Sequence, residues 1–269
     1  MAWTSKLLIV GCGNMGGAML AGWLTAGISP DRFAVLDPAL EASPEGVRLY
    51  RDPAEAREAA HDAVMLGFKP QQLDALAPSL QSLTGTGVTV YSLLAGLTIA
   101  QIQNAFPQSA AHVRVMPNLA SRINKSPVIL LQDGLGADQA SAAFDLFDNL
   151  GTAVWIKDET KFDLVTALAG SGPGFVYRFI DALAEAGVRL GLEREQATQL
   201  SLAMVEGASA LASGSDVSPA ELADRVASPG GVTREGLNVL DADEVLVRLL
   251  TDTLRATADR GAALSKGDG

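Results

Sequence analysis

A glycine-spaced loop caught between two different hydrophobic periods narrows the fold more than any other segment. Leu7-Leu8-Ile9-Val10 is an unbroken apolar run as long as a buried strand. Gly11-Cys12-Gly13-Asn14-Met15-Gly16 follows at once, and a helical pattern runs from Met15 to Ala26. Alone, G-x-G-x-x-G is a weak signal; directly after a strand and opening a helix, it has the context of a dinucleotide-binding turn. Gly11 permits the tight turn, Gly13 lets the backbone approach a pyrophosphate, and Gly16 lets helix and strand pack closely. The free N–H groups and dipole of a helix starting near Asn14 then face the phosphates.

Further apolar runs at Phe33–Leu36, Ala63–Leu66, Val88–Tyr91, Val113–Met116, Val128–Leu131 and Ala153–Ile156 read as buried strands. Helical stretches Gln71–Leu83, Ile99–Ala105 and Ala137–Leu150 lie between several of them. Such alternation builds βαβ units, so residues 1–158 are expected to form a Rossmann-type, mostly parallel α/β sheet domain that binds a dinucleotide. The direction of the last two strands is left open. Beyond residue 158 the strand signals end. Phe175, Val176, Phe179, Ile180 and Leu183 share one helical face, and Leu200, Met204, Ala208 and Leu211 another. Leu246, Leu249, Leu250, Thr253, Leu254, Thr257 and Gly261 form a wide stripe on a last helix. Residues 159–269 are therefore expected to be all-helical and, having much apolar face and little sheet to cover, to pair with a second subunit.

The 269 residues carry 20 Lys and Arg against 31 Asp and Glu, a net charge of −11. No nucleic-acid or membrane partner is expected, because the basic footprint is missing. A phosphate-bearing cofactor remains compatible, since helix N-termini bind phosphate without side-chain charge. Cys12 is the single cysteine, which forbids an intrachain disulfide and a Cys-rich metal site. His61 and His112 stand far apart, so a His-based zinc site or triad is not expected either. The N-terminal apolar stretch stops at Gly11, too short for a signal segment or a membrane span; a soluble cytoplasmic protein is expected.

Asp37 stands about twenty residues beyond Gly16, at the end of the second strand run. A carboxylate there accepts both adenosine ribose hydroxyls and repels a 2′-phosphate. Pro38, Ala39 and Leu40 follow with no Arg or Lys, which favours NADH and leaves NADPH open. Asp37 capping its own turn is the simpler alternative. Lys69-Pro70 reads equally as a phosphate or nicotinamide-edge contact and as a helix start with Pro in its first turn. Ala95-Gly96 lies where carboxyl strand ends form a ligand crevice. In the helical half, Ser228-Pro229-Gly230-Gly231-Val232-Thr233 opens a helix. Its Gly-Gly offers a nest of N–H groups to a small anion, with the Ser228 and Thr233 hydroxyls beside it; ordinary N-capping by Ser explains it as well.

Together, Gly11–Gly16, Lys69-Pro70, Ala95-Gly96, Arg114–Asn118, Leu168–Pro173 and Ser228–Thr233 followed by Gly236-Leu237 resemble the pyrroline-5-carboxylate reductase family. The matches run in order through nearly the whole chain. The resemblance implies reduction of 1-pyrroline-5-carboxylate to L-proline with NAD(P)H, the last step of proline biosynthesis. It also implies a Rossmann domain and a helical domain that interlocks subunits as homodimers, often assembled into decamers. By the same resemblance Ser228, Gly230, Gly231, Val232 and Thr233 bind the substrate, Thr233 and Ser228 acting at the reacting end and the Thr233 hydroxyl meeting the ring nitrogen. Gly11, Asn14, Met15, Gly16, Lys69, Pro70, Ala95 and Asn118 line the cofactor, beside Gly13 and Asp37 from the motif itself. Scarce histidine suits this chemistry. A ketone needs a positioned acid, whereas an imine is basic, arrives protonated and forms no oxyanion, so catalysis is mainly orientation.

The chain departs from the family pattern in places. Leu119-Ala120 stand where Thr-Pro is usual, with Asn124 and Ser126 in a stretch that usually holds glycines. Ala203-Met204 replaces a Gln-Thr pair, Arg260-Gly261-Ala262-Ala263-Leu264 an Arg-Ser-x-Glu-Leu, and Asp37-Pro38 an Asn or Ser with a basic neighbour. These changes leave room for a different cyclic imine. Two other readings compete. β-Hydroxyacid dehydrogenases share the organisation and act through Lys-x-x-x-Asn on a helix; here Lys161 is followed four residues on by Val165 and reads as a solvated helix-start residue. A dinucleotide sensor without turnover would need the glycine loop and not the Ser228–Thr233 element.

Overall fold

The computed structural model describes residues 6–265. Among these, β1 (Leu7–Val10), β2 (Phe33–Leu36), β3 (Arg48–Tyr50), β4 (Ala63–Leu66), β5 (Thr89–Ser92), β6 (Ala111–Met116), β7 (Ser126–Asp133) and β8 (Gly151–Trp155) form one sheet. Its order is β3-β2-β1-β4-β5-β6-β7-β8. Strands β1 to β6 run parallel; β7 returns antiparallel to β6, and β8 pairs parallel with β7. The reversal at β7 has a local cause. No crossover helix separates it from β6, only a short 3₁₀ turn, Leu119–Ile123, and an antiparallel return needs no more than that.

Helices α1 (Asn14–Thr25), α2 (Pro53–Arg57), α3 (Leu73–Leu80), α4 (Ile99–Ala105) and α5 (Ala137–Asp148) connect the strands. Alternate residues of β1 face opposite ways, and both faces are covered. Leu7 and Ile9 join Met19, Leu20 and Trp23 of α1 and Leu146 and Phe147 of α5. Leu8 and Val10 join Ala56 of α2, Leu73, Ala77 and Leu80 of α3, and Ile102 of α4. Burial of each large side chain contributes about 1.5–3 kcal/mol, which is why these strands read as continuous apolar runs. The Trp23 indole N–H is satisfied by the Leu146 carbonyl at 2.8 Å, and its ring stacks on Phe33.

After β8 the described chain is helical: α6 (Phe162–Val165), a π-helical turn Thr166–Gly170, α7 (Gly172–Arg189), α8 (Arg194–Ser213), α9 (Pro219–Arg225), α10 (Val232–Asp241) and α11 (Val245–Ser265). The chain falls into two compact units. The first contains residues 6–171 with 257–265, and the second is Gly172–Ala256. Within the second, α7 packs on α8. Large apolar side chains remain exposed on this single chain: Val176 and Phe179 of α7, Leu200 and Met204 of α8, Val239 of α10, and Leu249 and Leu250 of α11. The stripes read from the sequence exist, and the chain itself covers them only in part.

Candidate cofactor and substrate sites

The sheet order reverses at β1: β2 and β3 lie to one side of it, β4 onward to the other. Ligands of open α/β sheets bind in the crevice outside the carboxyl strand ends at such a point. The glycine loop sits there. Gly11 has φ +86°, and a Cβ on it would meet the Phe68 nitrogen at 2.9 Å. A Cβ on Gly16 would lie 2.8 Å from the Gly11 carbonyl oxygen. At Gly13, by contrast, a Cβ would meet nothing within 4 Å. Two glycines are required by neighbouring backbone, and one opens onto free space.

Helix α1 begins at Asn14 with Gly13 as N-cap, no side-chain cap and no acidic residue in its first turn. Its first N–H bonded back into the turn is that of Gly17, on the Gly13 carbonyl at 2.8 Å. The N–H groups of Asn14, Met15 and Gly16 therefore have no partner within the helix. Room for a pyrophosphate, donors for its oxygens and a carboxylate at the end of β2 fit the dinucleotide that the motif implies. That carboxylate belongs to Asp37. Its Oδ2 accepts the Cys12 N–H at 2.9 Å, and its Oδ1 accepts the Ala39 N–H at 2.9 Å. Asp37 thus does cap its own turn, and it also ties that turn to the glycine loop. Each oxygen keeps a further lone pair. Burial, and secondly Asp37, push the Cys12 thiol up to about 11, so it stays protonated near neutrality and is no nucleophile.

Lys69 is exposed and precedes a 3₁₀ turn, Pro70–Gln72; its N–H donates to Gln72 Oε1 at 3.1 Å, as a helix start requires. Ala95 is exposed in a turn whose Gly96 takes φ +78°. Asn118 is buried, and much of its bonding is committed. Its Oδ1 accepts the Ala120 N–H, its Nδ2 donates to the Ala169 carbonyl, and its own N–H donates to Ser126 Oγ, each at 2.9 Å. Asn124 takes φ +55° and donates from Nδ2 to the carbonyls of Gly22 and Asn149. Asn124 and Ser126, two of the departures from the family pattern, are thus the braces of this segment. Arg114, at its head, is buried against the face of Phe162 and donates to Glu159 Oε1 at 2.8 Å. The same oxygen accepts the Ile99 N–H that opens α4.

In the second unit, Ser228-Pro229-Gly230-Gly231 is a turn closed by the Gly231 N–H on the Ser228 carbonyl at 2.9 Å. Pro stands second and Gly230, at φ +71°, third, the pattern of a type II turn. Gly231 is the N-cap of α10 and no side chain caps it. Ser228 therefore does not cap the helix, and the N–H groups of Val232, Thr233 and Arg234 lack helical partners. Arg234 pins the turn to α9, donating to Asp224 Oδ1 at 2.7 Å and to the Ala227 carbonyl at 3.2 Å. The sequence offered no sign of this role, because the acceptors lie outside the motif. Lys161, the residue that the hydroxyacid reading needs, is exposed and 3.9 Å from Asp158, as a solvated side chain should be.

A sheet that turns back at β1 with a glycine loop of dinucleotide-motif spacing at that point, followed by a helical half, defines a nicotinamide-dinucleotide oxidoreductase of the Rossmann class. Residues 6–96 match the model of the family described as NADP oxidoreductase, coenzyme F420-dependent, and residues 159–264 match pyrroline-5-carboxylate reductase dimerisation. A pyrroline-5-carboxylate reductase of Pseudomonas aeruginosa is 31% identical over 98% of this chain and 98% of its own length. Pyrroline-5-carboxylate reductase 2 of Bacillus subtilis is 34% identical over 97% and 99%. Among solved structures, a pyrroline-5-carboxylate reductase from Coxiella burnetii superposes with a TM-score of 0.90 at 29% identity, covering 97% of this chain and 98% of its own. The Plasmodium falciparum enzyme with NADP bound gives 0.80 at 25% identity, covering 98% and 100%. The chain belongs to the pyrroline-5-carboxylate reductase family.

Proposed function

We propose that this chain reduces 1-pyrroline-5-carboxylate to L-proline. The observation that carries the reading is the head of α10, a type II glycine turn behind a helix N-terminus that no side chain caps. Free N–H groups and the helix dipole favour a small carboxylate there. The N–H groups of Val232 and Thr233 hold the substrate carboxylate, with the Ser228 hydroxyl beside them, while Gly230 and Gly231 shape the turn. The Thr233 hydroxyl hydrogen-bonds the ring nitrogen, which already carries its proton in the imine, so no stronger acid is required. Bound NAD(P)H supplies the hydride. Gly11, Gly13, Asn14, Met15 and Gly16 cradle its pyrophosphate, Asp37 its adenosine ribose, and Lys69, Pro70 and Ala95 line its path; Asn118 acts by bracing the end of β6.

Asp37 favours NADH, because a carboxylate at this place repels a 2′-phosphate. Residues 1–158 serve as the dinucleotide-binding domain and 159–269 as the substrate-binding and dimerisation domain. The exposed apolar side chains of α7, α8, α10 and α11 are covered by a second copy in a homodimer, on which a decamer can be built. No described helix is long and apolar enough to cross a membrane, and we place the working protein in the cytoplasm, without nucleic-acid, membrane or metal partners. The test is a steady-state assay of pyrroline-5-carboxylate with each reduced nicotinamide. The expected result is imine-dependent loss of nicotinamide absorbance with both, at higher kcat/KM for NADH; no turnover with either overturns the reading.

A further inference from the structure

Whether Asp37 meets the ribose depends on where its loop is held, and the holding residue lies beyond the next strand. The Asp37 N–H donates to the Tyr50 carbonyl of β3 at 3.1 Å, and past it the chain is irregular up to β3. Such a loop has few backbone partners of its own. Arg51, directly after β3, spans it. Its Nη1 donates to the carbonyls of Asp37 at 3.5 Å and Pro38 at 3.2 Å, and its Nη2 to that of Glu41 at 2.9 Å. The Arg51 backbone is anchored in turn, its N–H bonded to Glu55 Oε2 of α2 at 3.0 Å. One planar fork therefore fixes three carbonyls of the loop, which a lysine ammonium on its flexible stem does not do.

An arginine near the end of β2 has two possible uses. A guanidinium left free would receive a 2′-phosphate and favour NADPH. This one has both Nη atoms turned onto backbone carbonyls, while the Asp37 carboxylate is tied to the glycine loop through Cys12. We propose that Arg51 is a positioning residue that sets coenzyme selectivity: it holds the Asp37–Glu41 loop so that the carboxylate stays at the ribose position and NADH is favoured. This assignment rests on the reading that Asp37 contacts the ribose.

The experiment compares Arg51→Gln, Arg51→Lys and Asp37→Ser with the parent as full-length proteins. NADH and NADPH are titrated by nicotinamide fluorescence without substrate, and amide hydrogen exchange of residues 37–43 is followed without coenzyme. Both Arg51 variants are expected to exchange faster in that loop and to move the NADPH-to-NADH affinity ratio toward NADPH by about fivefold, the equivalent of one lost interaction. If Arg51→Gln weakens NADPH more than NADH, the guanidinium is a phosphate ligand and the assignment is overturned. An unchanged ratio in Arg51→Gln, or an Arg51→Lys variant that matches the parent, overturns it as well. Asp37→Ser separates the two levels. A ratio shift there with none in Arg51→Gln removes Arg51 alone, whereas no shift in Asp37→Ser removes the ribose contact and the Arg51 role with it.

Discussion

Thr233 occupies the second position of α10, where an exposed hydroxyl lies beside N–H groups that have no helical partner. On the proposed mechanism, replacing it by Ala removes one hydrogen bond to a cationic ring and leaves the turn and the glycine loop as they are. Turnover is expected to fall about tenfold to a hundredfold, the loss typical of a hydrogen bond to a charged group, with the NADH dissociation constant within twofold. Stopped-flow reduction and a fluorescence titration read the two quantities separately; an equal loss of coenzyme binding would make the residue structural. At this scale Gly11 and Gly16 were readable in advance, because each answers one steric demand. Gly11 takes a positive φ, Gly16 sits against a carbonyl and Gly13 faces open space. Arg51 and Arg234 were not readable. The Arg51 side chain bonds only backbone carbonyls of another segment, which leave no mark in residue type, and Arg234 bonds the Asp224 carboxylate and the Ala227 carbonyl, which lie outside its motif.

Among the elements, β1, β2 and β4 were plain in the sequence because every residue in them is buried, which leaves an apolar run without interruption. Strand β3 was missed. It has three residues, lies at the sheet edge and runs from exposed to buried, so it offers neither a run nor an alternation long enough to detect. The five-residue α2 escaped for the same reason. What could not be read at all is the join between elements made by Glu159. One of its oxygens accepts from Arg114 of β6 and from the Ile99 N–H of α4, each at 2.8 Å. Burial draws the Arg114 guanidinium below its ordinary value, and the bond to Glu159 opposes that. Glu159→Ala leaves a buried cation unpaired and exposes a helix N–H. The expected cost is about 2 kcal/mol, below the range for fully buried pairs because the Glu159 side chain is 34% exposed. Urea denaturation checks it, and a change under about 0.5 kcal/mol would mean that the pair behaves as a surface one.

For the whole molecule, apolar side chains are left exposed on α7, α8, α10 and α11, and Val176 and Phe179 of α7, Leu200 and Met204 of α8 and Leu249 and Leu250 of α11 fall on the faces that the sequence periodicity marks. Light scattering at micromolar concentration is expected to give twice the chain mass or a multiple of it; a monomer would contradict the pairing of these helices. The proposed chemistry, too, is divided along the chain: the heads of α1 and α10 each leave N–H groups without a side-chain cap, and the proposal gives the first to phosphates and the second to a carboxylate. The most direct measurement is a crystal of the protein soaked with proline and oxidised coenzyme. The amino-acid carboxylate should lie on the N–H groups that head α10, with its ring nitrogen in reach of the Thr233 hydroxyl. Proline bound away from the Ser228–Thr233 turn would contradict the mechanism.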